Sequence, residues 1–324
     1  KLLPFLPLPL VQILLGIVIG LFLPNTDFHL NTELFLALVI GPLLFRESEE
    51  ADITAILKHW RIIIYLIFPV IFISTLSLGG LAHLLWLSLP LAACLAVGAA
   101  LGPTDLVAFA SLSERFSFPK RVSNILKGEG LLNDASGLVA FQVALTAWTT
   151  GAFSLGQASS SLIFSIIGGF LIGFLTAMTN RFLHSFLLSV RATDIASELL
   201  LELSLPLVTF FLAEEVHVSG IIAVVVAGIL KASRFKKITL LEAQVDTVTE
   251  TVWHTVNFML NGSVFVILGM ELEMIAEPIL TNSIYNPILL LVSLIALTFV
   301  LFAIRFVMIY GYYAYRTRRL KKKL

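Results

Sequence analysis

Long apolar segments, separated by short polar stretches, run through the whole chain. A helix needs about 20 mostly apolar residues to cross a bilayer, and strand-like alternation of apolar and polar positions is absent. Backbone groups in lipid must also be bonded internally, which favours helices. We therefore predict an all-α membrane protein with ten spanning helices, at residues 5–24, 31–46, 61–80, 83–112, 122–148, 158–180, 195–213, 217–232, 249–271 and 284–314.

Among the loops between these spans, Lys and Arg occur on one side of the membrane only. Lys58, Arg115 and Arg181 lie in loops on one side, together with the basic tail at 316–323. The loops of the other side carry only acidic and neutral residues, such as Glu214. Basic loops of membrane proteins face the cytoplasm, so we predict that both termini of this chain are cytoplasmic.

Composition narrows the class of protein. Hydrophobic residues make up 58% of the chain and charged residues 13%, against about 25% charged residues in an ordinary soluble domain. The formal net charge is zero and the chain has one cysteine, which argues against nucleic-acid binding, an internal disulfide and a cysteine metal site. With no visible nucleophile–base pair, we expect no enzyme activity and no cofactor.

Three acids and one base lie at membrane depth, away from the ends of the apolar spans: Asp105, Glu129, Asp134 and Arg305. An ionisable group at mid-helix costs about 2.5 kcal/mol or more in a membrane. These residues are therefore the first candidates for function.

Asp105 follows a predicted break in the fourth span. Pro103 has no N–H to donate to the carbonyl of Ala99, which should interrupt the helix. The freed carbonyl, the Thr104 hydroxyl and the Asp105 carboxylate are hard oxygen ligands of the type that small cations prefer. Broken helices at mid-membrane carry the binding sites of many transporters, although a purely structural proline kink is the alternative.

Glu129, Asn133 and Asp134 lie early in the fifth span. Glu129 and Asn133 are one turn apart and share a helix face. Asp134 points about 100° away from Asn133 and lies deeper in the bilayer. Burial favours the protonated carboxyl, whereas a bound cation favours the carboxylate. A single acid that carries either a proton or a cation is sufficient for exchange.

Arg305 stays charged at every physiological pH and needs an acidic partner. Glu129 is the predicted partner, because both residues should lie in the cytoplasmic half or near the membrane centre. Removing one member of a buried pair is strongly destabilising, so we assign the pair to folding. The alternative is that Arg305 extends alone to the membrane surface.

These motifs resemble those of the NhaP-type sodium–proton antiporters, a branch of the cation–proton antiporters that includes the animal sodium–proton exchangers. The family has a Thr-Asp break, a G-E-S-x-x-N-D-A segment, a W-N-F-G helix, a membrane arginine and a P-L-L-F signature. The matching stretches here are Gly102 to Asp105, Gly128 to Ala135, Trp253 to Asn261 with Phe265 and Gly269, Arg305, and Pro42 to Phe45.

The resemblance implies an antiporter fold with one interrupted helix and a homodimer that works by an elevator-like motion. Residues 61–148 and 284–314 would form the mobile core, and residues 1–60 and 158–272 the dimerisation and scaffold part. The partners would be a monovalent cation, a proton, the lipid bilayer and a second copy of the chain.

The resemblance also implies site residues. Asp134 would bind the cation and the proton in turn, with Asn133 and Thr104 beside it. Asp105 of the predicted break remains a further candidate for ion binding. Glu129 and Arg305 would form the structural pair. In this family an Asn-Asp pair accompanies electroneutral one-for-one exchange.

Three features depart from the family pattern. Gly130 replaces the usual serine and removes a hydroxyl, and Arg46 with Glu47 replaces the acid that often follows the P-L-L-F stretch. Family members also continue past the arginine helix, so we expect this chain to lack the last helices of the fold.

Sodium–proton exchange is the predicted function, with Na+ the expected ion. A potassium–proton antiporter and a non-transporting scaffold are the alternatives. A channel would need a continuous polar stripe, whereas the spans other than the fourth, fifth and tenth are nearly apolar. A scaffold would leave Asp105, Glu129 and Asp134 without a reason to lie at membrane depth.

Overall fold

A computed structural model describes residues 8–22, 31–103, 117–150, 155–190, 194–232, 240–281 and 287–321, and these residues are almost entirely helical. No β-strand occurs in these ranges. The α-helices are α1 Leu8–Phe22, α2 Thr32–Phe35, α3 Gly41–Glu50, α4 Ile53–Lys58, α5 Trp60–Tyr65, α6 Ile71–Leu85, α7 Leu91–Leu101, α8 Lys120–Thr150, α9 Leu155–Ser189, α10 Ile195–Glu215, α11 Gly220–Ala232, α12 Leu240–Thr281 and α13 Pro287–Lys321. Two π-helical turns, Leu36–Ile40 and Leu66–Val70, join α2 to α3 and α5 to α6.

The prediction of an all-α membrane protein is confirmed. Five described helices are long and apolar enough to cross a bilayer, and three more are apolar but shorter. The long ones are Trp60–Leu85, Ile163–Leu187, Ile195–Glu215, Thr247–Ile275 and Ile288–Tyr315, and the shorter ones are Leu8–Phe22, Leu91–Leu101 and Gly220–Ala232. Each of the ten predicted spans overlaps a helix of the structure.

One predicted boundary is wrong. The fourth span was placed at 83–112, but α6 continues to Leu85 and α7 begins only at Leu91. The intervening turn is almost as apolar as the helices on either side, so hydropathy does not reveal it. Pro90, with φ −58° and ψ 145°, is extended and sets the start of α7.

The helices form two compact units. Unit 1 contains α1–α3 and the greater part of α9–α12, and unit 2 contains nearly all of α4, together with α5–α8 and α13. The antiporter resemblance implies a core part, at 61–148 and 284–314, and a scaffold part, at 1–60 and 158–272. The roles assigned to those parts stay a prediction.

Unit 1 is held together by close contacts at small residues. Gly16 of α1 and Gly269 of α12 face each other, and a side chain on either would collide with the backbone of the other helix. Gly173 of α9 lies equally close to the backbone of Ala223 in α11. Small residues bring membrane helices together because they let the backbones approach.

Unit 2 has a buried core built from α5–α8 and α13. Gly98 of α7 lies against the backbone of Thr75 in α6, so these two helices pack closely. Cys94 is fully buried beside Leu78 and Leu297. The single cysteine therefore acts as the apolar packing residue that its sequence context indicates.

Candidate functional site

In unit 2, a helix ends at the position of the predicted break. Helix α7 ends at Leu101, and Gly102 and Pro103 follow outside any helix. Thr104 and Asp105, the predicted ligands after the break, lie outside the described residues. The part of the site that the structure describes is therefore built around the end of α7.

Arg305 of α13 reaches that end. Its Nη2 donates a hydrogen bond to the carbonyl oxygen of Gly102 over 2.6 Å. Backbone carbonyls at the C-terminal end of a helix lack intrahelical partners and carry partial negative charge, so a guanidinium stabilises them. This contact was not predicted, because sequence spacing does not show which carbonyl a distant arginine meets.

The same guanidinium contacts an acid of α8. Arg305 Nη1 lies 3.3 Å from Glu129 Oε1, and the two side chains are 17% and 3% exposed. These two residues are the ion pair predicted from the sequence. Arg305 thus joins three segments, since it belongs to α13 and bonds both the end of α7 and the side of α8.

Helix α8 also touches the break directly. A side chain on Gly137 would collide with the Pro103 ring. This glycine is needed for space, because the ring occupies the position that a Cβ atom would take. The turn from Asn133 to Gly137 therefore lies beside the interrupted helix.

Asn133 is fully buried within this turn. The Ser136 hydroxyl donates to the Asn133 carbonyl oxygen over 2.9 Å, which keeps that hydroxyl within its own helix. Asp134 belongs to α8 and follows Asn133 directly, but its side chain lies outside the described part of the structure. The structure thus brings together the break, Glu129, Arg305 and the backbone of the Asn133–Asp134 segment.

The charges of this site have a simple balance. Arg305 carries one positive charge and Glu129 one compensating negative charge at 3.3 Å.

A second charged cluster, in unit 1, was missed by the sequence analysis. Lys231 of α11 contacts the carboxylate of Glu202 in α10, and its Nζ lies 3.2 Å from Glu49 Oε1 of α3. The Lys231 side chain is 8% exposed. Lys231 therefore joins α11 to α10 and to α3 within unit 1.

Local spacing contained part of the signal for this cluster. Arg46 lies three residues before Glu49 and four before Glu50, and it forms ion pairs of 3.0 and 2.6 Å with them. Such spacings place side chains on one helix face. Helix α3 continues to Glu50, so these residues form its last turns.

Two of the motifs that suggested the antiporter resemblance meet in unit 1. Trp253 is 1% exposed. Its ring centroid lies 6.1 Å from that of Phe45 and 5.9 Å from the Arg46 guanidinium carbon. The P-L-L-F stretch and the tryptophan helix are therefore packing partners.

Comparison with known proteins confirms the resemblance. Residues 1–323 match the family described as "Sodium/hydrogen exchanger, transmembrane". A "Sodium, potassium, lithium and rubidium/H(+) antiporter" of Bacillus pumilus is 35% identical over 320 residues, which cover 99% of this chain and 48% of that protein. The protein of the same name from Bacillus subtilis is 36% identical, with 94% of this chain and 46% of that protein covered.

The fold also matches a solved structure. The sodium proton antiporter MjNhaP1 from Methanocaldococcus jannaschii aligns with a TM-score of 0.62 and 19% identity, over 81% of this chain and 63% of that one. This chain spans about half the length of the two Bacillus relatives. Because the family match extends over nearly every residue, the chain belongs to the sodium/hydrogen exchanger family, which consists of cation:proton antiporters and not of enzymes.

Proposed function

We propose that the protein containing this chain exchanges a monovalent cation for a proton across a membrane. One observation carries the proposal. The helix that carries Asn133 and Asp134 packs through Gly137 on the proline break of a second helix, inside a single compact unit. An acid beside an interrupted helix at membrane depth is the arrangement that ion-coupled transporters use.

Asp134 carries the exchange in this proposal. A buried carboxyl favours its neutral form when no cation is near, and a bound cation favours the carboxylate. The cation and the proton therefore compete for one group, and each crossing moves one of them. Asn133, Thr104 and Asp105 would add oxygen ligands, because monovalent cations in transporters are held by carbonyl, hydroxyl and carboxylate oxygens.

The Glu129–Arg305 pair has a structural role in this scheme. The arginine is bonded to both Glu129 and the Gly102 carbonyl, so it connects α13 to α8 and to the end of α7. Since the pair is electrically balanced, the charge that changes during a cycle is that of Asp134. One cation for one proton then gives the electroneutral exchange that the Asn-Asp segment implies.

The choice of cation follows from relatives. The two Bacillus proteins are named for sodium, potassium, lithium and rubidium. We propose that Na+ is a substrate and that K+ is a second one. Oxygen ligands bind both ions, and they discriminate through cavity size and ligand number.

The two units would have different tasks. Unit 2 contains the break, Asn133 and the arginine pair, so we assign it to the mobile core. Unit 1 would belong to the dimerisation part of a homodimer. The alternating basic loops favour cytoplasmic termini.

Transport in vesicles tests the proposal. The full-length protein is reconstituted with an acidic interior, and the collapse of the pH gradient is followed on addition of Na+, Li+ or K+. Asp134→Asn and Asp134→Ala should abolish the response, because neither side chain exchanges a proton. Glu33→Gln is the matched control, since this exposed acid lies at the start of α2. Exchange at the normal rate in either Asp134 variant would overturn the proposal.

A further inference from the structure

Serine and threonine hydroxyls in this fold usually bond their own helix. In unit 2, Ser293 donates to the Leu290 carbonyl over 2.8 Å and Thr298 to the Leu294 carbonyl over 2.8 Å. Such bonds three or four residues back satisfy a hydroxyl that lies in an apolar surrounding. They account for most helical hydroxyls without any ligand.

Ser74 and Thr75 of α6 are exceptions. Both hydroxyl oxygens are buried and have no hydrogen-bond partner in the described part of the chain. Ser74 as a whole is 0% exposed. A buried hydroxyl left unbonded costs about 1–3 kcal/mol, so two adjacent ones indicate a ligand that satisfies them.

Their position is beside the break. Thr75 packs through its backbone on Gly98 of α7, and one turn earlier Ile71 is the neighbour of Gly102. Three helical residues rise about 4.5 Å. Ser74 therefore lies roughly one turn from the level at which Arg305 meets the Gly102 carbonyl.

The surroundings at this level change from apolar to polar. Leu78, one turn beyond Ser74, packs in the layer of Cys94 and Leu297. On the other side are the Gly102 carbonyl and the Arg305 guanidinium. Ser74 and Thr75 thus lie where an apolar helix contact gives way to the site.

A further oxygen lies at the same level. Ala99 is fully buried, and Pro103 has no N–H to donate to its carbonyl. Its usual donor four residues on is therefore lacking, and backbone carbonyls at broken helices coordinate Na+ in transporters. Hydroxyl oxygens are hard ligands of the same kind.

We propose that Ser74 and Thr75, with the Ala99 carbonyl, form an oxygen site for the transported monovalent cation on the α6 side of the break. This site is separate from Asp134. It rests on the proposed function, which it deepens by adding a step. The cation exchanges hydration water for these oxygens before or after it meets the carboxylate. The hydroxyls contribute to cation affinity and do not take part in proton binding.

Kinetics of the full-length protein in proteoliposomes test the site. Ser74→Ala and Thr75→Val should each raise the KM for Na+ about tenfold, as expected for the loss of one bond to a charged partner. The maximal rate should stay within about twofold of that of the unchanged protein. Thr75→Ser, which keeps the hydroxyl, should restore the original KM. A parallel measurement of 22Na+ binding to the solubilised protein should show the same weakening.

Ser293→Ala is the matched control. Ser293 is also 0% exposed and lies in unit 2, but its hydroxyl is already bonded to a carbonyl. Its removal should leave the KM for Na+ unchanged. Thr75→Val preserves side-chain shape, so it remains informative if Ser74→Ala does not fold.

Each outcome has a definite meaning. The inference would be overturned if both Ser74→Ala and Thr75→Val had the KM and the 22Na+ affinity of the unchanged protein. The same holds if these variants lost only stability, because that result would indicate that the hydroxyls bind a water molecule and not the cation. If Asp134→Asn abolished exchange while the Ser74 and Thr75 variants bound Na+ normally, the proposed function would stand and only the Ser74 site would be excluded. Absence of cation-driven exchange in the unchanged protein would instead overturn the proposed function, and 22Na+ binding would then decide on the Ser74 site.

Discussion

At the scale of single residues, Arg305 must bond two acceptors on different segments of the chain. It must satisfy Glu129, which is 3% exposed, and the Gly102 carbonyl together. A planar guanidinium has donors on two arms and serves both acceptors at fixed geometry, which a lysine ammonium does less well. The residue thus couples charge neutralisation in α8 to the shape of the break.

Arg305→Ala should lower thermal stability more than it lowers cation affinity. Removing one partner of a buried ion pair costs about 3–5 kcal/mol, and the end of α7 loses its donor as well. Arg305→Lys should give a smaller loss, because one charge remains. Unfolding midpoints and 22Na+ affinities measured on the same preparations separate the two effects.

Arg318→Ala provides the control for that comparison. Arg318 lies on the same helix and is exposed, and exposed charges contribute little to stability. Its midpoint should stay near that of the unchanged protein. An Arg305→Ala protein with a normal midpoint and no transport would contradict the structural role.

At the scale of helices, the contact between α8 and the break decides whether the site forms. Gly137 leaves room for the Pro103 ring, and Asn133 lies one turn earlier on the same helix. Small residues at such a crossing set the distance between helices. The interrupted helix and the Asn-Asp segment therefore depend on each other's shape.

Gly137→Ala should slow exchange and reduce stability. The added Cβ collides with the Pro103 ring, and a close-packed interior accommodates extra volume at a cost of typically about 1–3 kcal/mol. Exchange rate and unfolding midpoint are the measurements. Replacing Pro103 by Ala in the same protein should recover part of the lost stability, because the colliding ring is absent.

Gly311→Ala separates this steric effect from helix propensity. Gly311 lies in α13, and a Cβ there would meet nothing within 4 Å. Alanine is a better helix former than glycine by about 1 kcal/mol, so this variant should be as stable as the original or more so. Equal behaviour of the two glycine variants would remove the argument for a tight crossing.

At the scale of the whole molecule, membrane orientation can be checked with cysteine chemistry. The natural Cys94 is fully buried and is replaced by alanine. Single cysteines at Ser88 and Lys58 then lie on exposed positions at opposite ends of the helix Trp60–Leu85. A membrane-impermeant maleimide should label Ser88→Cys in intact cells and Lys58→Cys only after permeabilisation. The reverse pattern would contradict cytoplasmic termini.

Much of this architecture was predictable because it depends on local properties of the chain. The cost of placing charge or unpaired backbone groups in lipid acts at every position, so apolar stretches predict spans and Asp105, Glu129, Asp134 and Arg305 are conspicuous without a structure. Hydropathy alone does not reveal the turn formed by residues 86–90. There the chain turns between α6 and α7 without becoming polar.

By itself, the sequence determined the helical class, the position of most spans and the identity of the charged residues at membrane depth. Only the tertiary structure decided which of them meet. Arg305 bonds the Gly102 carbonyl, Gly137 accommodates Pro103, and Lys231 joins Glu49 and Glu202. These partners are far apart in the chain, and their contact depends on how helices cross. Helix crossing is set by the combined packing of many side chains, which no single segment specifies.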